Sequence, residues 1–313
     1  MQERNLGSSG LRVSVVGIGC NNFGGRIGTK ETGAVIDKAI DLGITFFDTA
    51  DMYSNRGGSE TAMGEVLKGG KRQKIVLATK CGMQMDDAGK LKGASRRYIM
   101  SAVEGSLKRL QTDYIDLYQV HQVDPLTPIE ETLRTLDDLV RSGKVRYIGL
   151  SNHPAWMVVE AQETARRNNL NAFVSCQDEY SLLIRDADKE LIPMTQRYGL
   201  GLLPYFPLAC GLLTGKYSRN AMPQGARLTE TKRWADKYLS DRNWRVTEEL
   251  SAFAQKRGHT LLDLAFSWLL ACPSISSVIA GATSPDQVAA NVKSASWQLT
   301  AEDLAEVDRI TGA

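Results

Sequence analysis

Phe46-Phe47-Asp48-Thr49-Ala50-Asp51-Met52-Tyr53 begins as an apolar strand, led in by Thr45, and runs straight into polar chemistry. A carboxylate stands at the strand end and a phenol follows five residues later. A buried strand that carries Asp48 to its C-terminal tip, with Tyr53 on the loop beyond, is how a parallel sheet exposes reactive groups. The next two strands of the pattern also end in ionisable residues, Lys80 and His121.

Outward from this stretch the chain repeats one unit: a short apolar run, a polar or glycine-rich loop, then an amphipathic helix. Before it come a hairpin over Leu6–Val13, whose Gly/Ser cluster supplies the turn, the strand Val15–Gly19, and a helix over about Glu31–Leu42 that stops at Gly43. After it the pattern predicts a helix from about Glu60 to Leu67 and a strand over Lys74–Lys80. The helix Arg96–Leu110 places Ile99, Val103, Leu107 and Leu110 on one face, and the strand Tyr114–Val120 ends at His121. Thr127-Pro128-Ile129-Glu130 reads as a capping box that opens the next helix. Strands follow at Val145–Leu150, Phe173–Gln177 and Gly201–Tyr205, with helices at Ala155–Asn168 and Lys189–Tyr198. The connection Pro207–Asn243 is long, so it is functional, a lid, or hides short helices. Helices Trp244–Arg257 and Leu261–Ala271, a strand Ser277–Ala280, a second capping box at Ser284-Pro285-Asp286-Gln287 and a last helix capped at Thr300 complete the chain.

That makes eight strand–helix units. Their strands are nearly unalternated, as expected when both faces are buried. No Pro/Gly/Ser linker divides residues 1–313. The reading is an α/β fold in one domain, a (β/α)8 TIM barrel with an N-terminal β-hairpin and extra C-terminal helices. A doubly wound open sheet is the alternative, because periodicity does not report whether a sheet closes.

Composition narrows the function. Lys plus Arg number 38 against 36 Asp plus Glu, a formal charge of +2, with no basic stripe to track phosphates, so nucleic-acid binding is not expected. The five cysteines are widely spaced and form no C-x-x-C pair, which suggests neither a zinc site nor a disulfide framework. Cys210 and Cys272 read as small buried hydrophobes, and His153 and His259 have no partners at metal spacing, so no metal is expected. The N-terminus lacks an apolar signal core and no run is long enough to span a membrane; a soluble, cytoplasmic protein is expected. Gly17-Ile18-Gly19-Cys20-Asn21-Asn22 lacks the third glycine of a dinucleotide fingerprint. Gly211–Tyr217 is one residue short of a P-loop and ends in Tyr217 instead of Ser or Thr.

In a parallel barrel all C-terminal strand ends point to one face. Asp48, Tyr53, Lys80 and His121 then converge in one mouth. Singly, each has a plainer reading: a turn aspartate, a packing tyrosine, a solvated lysine, a loop histidine. Together they suit a reaction that develops negative charge on a substrate oxygen, such as carbonyl reduction by hydride. A phenol with a pKa near ~10 is a poor acid–base catalyst at neutral pH. An adjacent ammonium lowers that value, so Lys80 is expected to tune Tyr53, Asp48 to hold Lys80, and His121 to orient the carbonyl.

These residues resemble the aldo-keto reductase family. The resemblance rests on Gly43–Ala50 with Tyr53, Thr79-Lys80, Tyr114–Tyr118 leading to His121, Ile148–Asn152, Gln177–Tyr180, Pro204-Tyr205 with Pro207-Leu208, Gly211–Tyr217 and Gly281–Asn291, in order along the chain. It implies a (β/α)8 barrel that binds NADP(H) extended, with Tyr53 as general acid/base. It further implies that Ser151, Asn152 and Gln177 hold the nicotinamide amide and that Tyr205 stacks on its ring. Leu208, Gly211, Leu213 and Gly215 would line the pyrophosphate, and Gly281, Thr283, Gln287 and Asn291 the adenosine end. Phe23, Met52 and Met83, with Tyr53 and His121, are candidates for the wall that meets a small carbonyl or alcohol substrate.

Two departures stand out. Phe206 occupies a place where relatives commonly carry serine. Thr283, Ser284 and Gln287 offer no cation for a 2′-phosphate, which Arg clamps bidentately, so NAD(H) stays open beside NADP(H), with Lys216 or Arg219 as substitute cations. Two other readings remain: a Schiff base on Lys80, and a cofactor-sensing subunit with little turnover, like the channel-associated members of that family. Substrate, direction and oligomeric state are not legible in the sequence.

Overall fold

The computed structural model describes residues 1–312. A two-stranded antiparallel hairpin comes first, β1 (Glu3–Asn5) against β2 (Arg12–Ser14). Eight parallel strands follow: β3 (Val16–Gly19), β4 (Phe46–Asp48), β5 (Val76–Cys81), β6 (Ile115–Val120), β7 (Val145–Ser151), β8 (Ser175–Glu179), β9 (Gly201–Tyr205) and β10 (Val278–Gly281). They lie in the order β10-β3-β4-β5-β6-β7-β8-β9. The ends of that order meet beside β9, where Leu202 N donates to Ser274 O at 2.7 Å and Ser276 N to Leu202 O at 3.1 Å. The sheet curls into a (β/α)8 barrel, and the open-sheet alternative is set aside.

Alternation along the strands sorts the core. Phe46, Ala78, Leu117, Leu203 and Ile279 face inward and pack with Leu6 and Val13 of the hairpin, which closes the bottom of the barrel. Phe47, Leu77, Tyr118 and their like face outward against the helices. Fully burying each such large side chain contributes about 1.5–3 kcal/mol. The Arg4 guanidinium fastens the hairpin to the C-terminal part of the chain through the carbonyls of Leu270 (2.7 Å) and Ile275 (2.8 Å).

The helices fall where periodicity puts them, with the Arg96–Leu110 and Leu261–Ala271 spans recovered exactly, most others shifted by a few residues, and the one expected from about Glu60 starting as early as Tyr53. Two capping expectations need correction. Thr127 does not cap its helix: its hydroxyl donates to Asp124 Oδ2 at 2.7 Å, and the helix Ile129–Arg141 starts uncapped behind Pro128. At Ser284 only half of the box forms. Ser284 Oγ accepts Gln287 N at 3.3 Å, while Gln287 Oε1 accepts instead from Thr283 N at 2.8 Å. A complete box does form at Thr300 with Asp303.

The long connection after Pro207 hides short helical turns, at Ala209–Thr214, Arg227–Glu230 and Lys232–Tyr238. Extra helices Asp241–Lys256 and Ala301–Thr311 lie outside the repeating units. Among the described residues, no helix is long and apolar enough to cross a membrane.

Candidate active site

The mouth is built by strand parity. Two residues beyond Phe46, Ala78 and Leu117 of the inward layer stand Asp48, Lys80 and Gln119; two beyond Ser175 stands Gln177. All four are buried. Lys80 Nζ donates to Asp48 Oδ2 at 2.5 Å and to the Thr49 carbonyl at 2.8 Å. Asp48 Oδ1 accepts from Gln119 Nε2 at 3.0 Å and from Gln177 Nε2 at 2.9 Å.

Tyr53 lies over this pair. Its ring centroid is 5.2 Å from Lys80 Nζ and 5.8 Å from the His121 ring, which it meets edge-on at 80°. After it, Ser54, Asn55 and Arg56 take φ of 53°, 60° and 63°, and Gly57 takes 118°. Non-glycine residues in this left-handed region cost roughly 1–2 kcal/mol each. The turn is held by Ser54 Oγ, which donates to the Phe23 carbonyl at 2.6 Å, before a right-handed helix continues to Val66. Propensity alone predicts only the helix from about Glu60 onward.

The electrostatics reverse one expectation. Burial raises the Tyr53 phenol, Lys80 pulls it down and Asp48 pushes it up again; the net is above the ordinary value of 10.0, not below it. Sequence shows the ammonium next to the phenol but not the dry mouth, which disfavours phenolate. Lys80 shows the opposite balance: burial lowers it, yet Asp48 and Tyr53 together raise it, so it stays an ammonium. Burial and then Lys80 push His121 down to about 3, so its imidazole is neutral. Its shielded Nδ1 has no protein partner.

A cavity of ≈ 750 Å³ opens above this group. Asp48, Tyr53 and His121 are on its wall, with Met52 and Met83. So are Ser151, Asn152, Gln177, Tyr205, Leu208, Gly211, Gly281, Thr283, Gln287 and Asn291. Lys80 lies beneath the wall. Three expected wall residues lie elsewhere. The Phe23 side chain is fully buried in the core, and only its backbone carbonyl serves the mouth, by anchoring Ser54. Leu213 is likewise fully buried in the core. Gly215 ends its helical turn with φ 79°, where open space surrounds the position a side chain would take.

Gln177 is already engaged: its amide nitrogen donates to Asp48 and to Gln119 Oε1 at 3.2 Å. Tyr205 OH donates to Asn152 Oδ1 at 2.8 Å, and Asn152 Nδ2 to the His121 carbonyl at 2.9 Å, which ties three strand ends together.

Phe206, with φ 48°, packs edge-on against Tyr205 at 5.3 Å and Trp234 at 4.9 Å. Lys216 reaches the cavity, joined by Arg26 and Arg227, which sequence reasoning missed. Burial, then Arg26 and Arg227, lower the Lys216 ammonium. Arg227 donates to Asn22 Oδ1 at 2.9 Å and Arg26 to the Gly225 carbonyl, both neutral partners. Arg219 is elsewhere, paired with Asp241 at 2.8 Å and Glu248 at 3.2 Å. No spacing rule joins positions 26, 216 and 227; only the fold does.

A second buried cluster lies behind the mouth. Asp51 is 1% exposed, and its Oδ1 has no partner. Burial, then the neighbouring Glu60, push its carboxyl up to about 7. Glu60 is held by Arg109 Nε at 2.7 Å and Thr79 Oγ1 at 2.5 Å. A carboxyl whose folded pKa exceeds its unfolded value near ~3.9 binds more protons when folded, so stability falls as pH rises from about 4 to about 7. Asp51→Asn is expected to raise the melting temperature more at pH 8 than at pH 5; equal shifts in thermal melts at the two pH values would contradict this. Among the described residues, no group of three or more His, Cys, Asp or Glu is gathered that could hold a metal.

Comparison with known proteins covers nearly the whole chain. The model of the aldo/keto reductase family matches residues 15–311. A protein of Oryza sativa subsp. japonica named "Probable voltage-gated potassium channel subunit beta" is 38% identical over 302 residues, 94% of this chain and 90% of the relative. The "Uncharacterized oxidoreductase YrpG" of Bacillus subtilis is 38% identical over 313 residues, 97% of this chain and 94% of the relative. The "L-glyceraldehyde 3-phosphate reductase" of Escherichia coli K12 is 34% identical over 320 residues, 99% of this chain and 92% of the relative. With matches that run nearly end to end and a barrel mouth of this composition, the chain belongs to the aldo/keto reductase family.

Proposed function

We propose that this protein is an NADP(H)-dependent oxidoreductase that interconverts the carbonyl of an aldehyde, ketone or sugar with its alcohol, using Tyr53 as general acid and base. The observation that carries the reading is the meeting of Asp48, Lys80, Tyr53 and neutral His121 at one end of a cavity whose wall also holds Lys216, Arg26 and Arg227. The residues fit such a cofactor. Gly211 and Gly281 leave room where a Cβ would crowd Lys216 at 3.1 Å and Asn22 at 3.3 Å. Arg227 and Arg26 hydrogen-bond neutral oxygens, the Asn22 amide and the Gly225 carbonyl, which leaves their charge for an anionic ligand.

When bound, the nicotinamide supplies or accepts the hydride. The protein's part is to place and protonate. His121, neutral at working pH, can donate to the carbonyl oxygen and fix its direction. Tyr53, held protonated, gives its phenolic proton to the oxygen as alkoxide character develops. Lys80, held as an ammonium by Asp48, stabilises the phenolate that remains. Ser151, Asn152 and Gln177 serve the nicotinamide amide, and Tyr205 its ring. Leu208 and Gly211 serve the pyrophosphate, and Gly281, Thr283, Gln287 and Asn291 the adenosine end. Met52 and Met83 offer an adaptable apolar wall to the substrate. The Schiff-base reading fits poorly, since such chemistry needs a neutral, reachable amine and Lys80 is buried and paired. All five cysteines are unpaired, which suits a reducing, cytoplasmic setting.

The deciding experiment is NADPH and NADH consumption, side by side, over a panel of aldehydes, ketones and sugars. Turnover with either supports the reading. Tight cofactor binding with negligible turnover across the panel would move it to a cofactor-binding subunit of a larger complex; the rice relative is named as a probable voltage-gated potassium channel subunit beta. Arg227→Ala is expected to raise KM for NADPH by about tenfold or more, the scale of one lost hydrogen bond to a charged group, while KM for NADH moves little. Equal changes for both coenzymes would remove Arg227 from 2′-phosphate recognition.

A further inference from the structure

We infer that Gln119 is a positioning residue for proton transfer: its side-chain amide holds Asp48 so that the carboxylate keeps Lys80 aimed at Tyr53. This rests on the carbonyl-reducing reading above. Gln119 sits on β6 in register with Lys80 on β5, so the two stand side by side on the inner face of the barrel. Its other neighbour in the sheet is Gly149. A Cβ at Gly149 would lie 3.2 Å from Gln119 Cγ and 2.5 Å from Ser175 Oγ. Absence of that atom gives the Gln119 side chain room beside β7, from where it reaches Asp48 on β4.

The result is a closed set of bonds. Lys80 binds one carboxylate oxygen of Asp48, and Gln119 and Gln177 bind the other, at 2.5, 3.0 and 2.9 Å. Gln177 also donates to Gln119 Oε1 at 3.2 Å, which fixes the way round of the Gln119 amide: oxygen to Gln177, nitrogen to Asp48. Gln119 is 0% exposed, so no water replaces its bond cheaply. A carboxylate bound on both oxygens is fixed in place. With Gln119 removed, Oδ1 depends on Gln177 alone, a residue that also stands on the cavity wall. Asp48 then holds Lys80 less firmly as a cation, and the phenolate of Tyr53 loses support.

Loss of phenolate support shows in the pH profile. Carbonyl reduction needs the phenol and alcohol oxidation needs the phenolate. Gln119→Met, close in volume but without a donor, is expected to slow alcohol oxidation at neutral pH by roughly tenfold, the scale of one buried hydrogen bond to a charged group. Carbonyl reduction slows by a comparable factor at that pH, because a catalyst leaves the equilibrium unchanged, and the pH at which reduction falls off moves upward. NADPH affinity, read by fluorescence titration, stays within about twofold, as expected for a group that does not touch the cofactor. A merely structural role would lower activity but leave the pH profile in place, and that outcome overturns the inference. Gln119→Glu is the second arm and decides the matter if the Met variant folds poorly in thermal melts. Its carboxylic acid can donate to Asp48, but its carboxylate repels it, so its activity should approach the parent at acid pH and collapse as pH rises. An unchanged profile for this variant also overturns the inference. If the parent protein turns over no carbonyl at all, the functional reading fails instead, and that is seen before any variant is made.

Discussion

Tyr53→Phe is expected to remove nearly all turnover while NADPH binding stays intact. The phenolic oxygen is the only atom changed, and the ring keeps its edge-on contact with His121 at 5.8 Å. General acid catalysis by a positioned group contributes about 10²–10⁴-fold, so kcat should fall by that order. Cofactor affinity, measured by fluorescence titration, should move little. Unchanged turnover would refute Tyr53 as the proton donor. The pH profile adds a sign. Because the phenol is held above its ordinary value, reduction should persist through neutral and mildly alkaline pH and decline only as the phenol ionises. The reverse oxidation should rise over the same range, since it needs the phenolate.

The second large effect is on stability. Asp48→Ala leaves the Lys80 ammonium fully buried with the Thr49 carbonyl as its remaining hydrogen-bond acceptor. Removing one partner of a buried ion pair costs about 3–5 kcal/mol, readable by urea unfolding at neutral pH. The double variant Asp48→Ala with Lys80→Met should recover part of that loss, because the orphaned charge is gone. Additive losses in the double variant would show that the pair is not energetically coupled. Lys80 is raised above its ordinary value of 10.5 in the folded state. Its contribution is therefore complete below the unfolded pKa and is lost only as pH rises through the higher folded value. Mild base should not mimic the substitution.

Much of the barrel was legible along the chain because its signals are local. Each strand is a short apolar run, each helix a 3.6-residue stripe, and both repeat eight times. The capping boxes at Thr127 and Ser284 show where local reading stops. Thr127 has the right neighbours in sequence, yet Asp124 competes for its hydroxyl. At Ser284 the partner glutamine finds a nearer donor in Thr283. Phe23 was misassigned for a related reason: a loop residue between Asn22 and Gly24 carries no mark of which way its side chain turns, and here the core takes it. Gln119 could have been found by counting parity inward from Leu117, but a lone glutamine in an apolar strand draws no attention without knowledge of what faces it.

Strand ends carrying Asp48, Lys80 and His121, with Tyr53 just beyond, followed from the sequence by itself, because alternation and strand length are properties of single segments. Closure of the sheet, the cation cluster at positions 26, 216 and 227, and the upward displacement of the Tyr53 phenol were decided only in three dimensions. Each depends on which distant segments exclude water from one another. Desolvation has no signature in a linear string, and it outweighs the attraction of a neighbouring charge that the string does reveal.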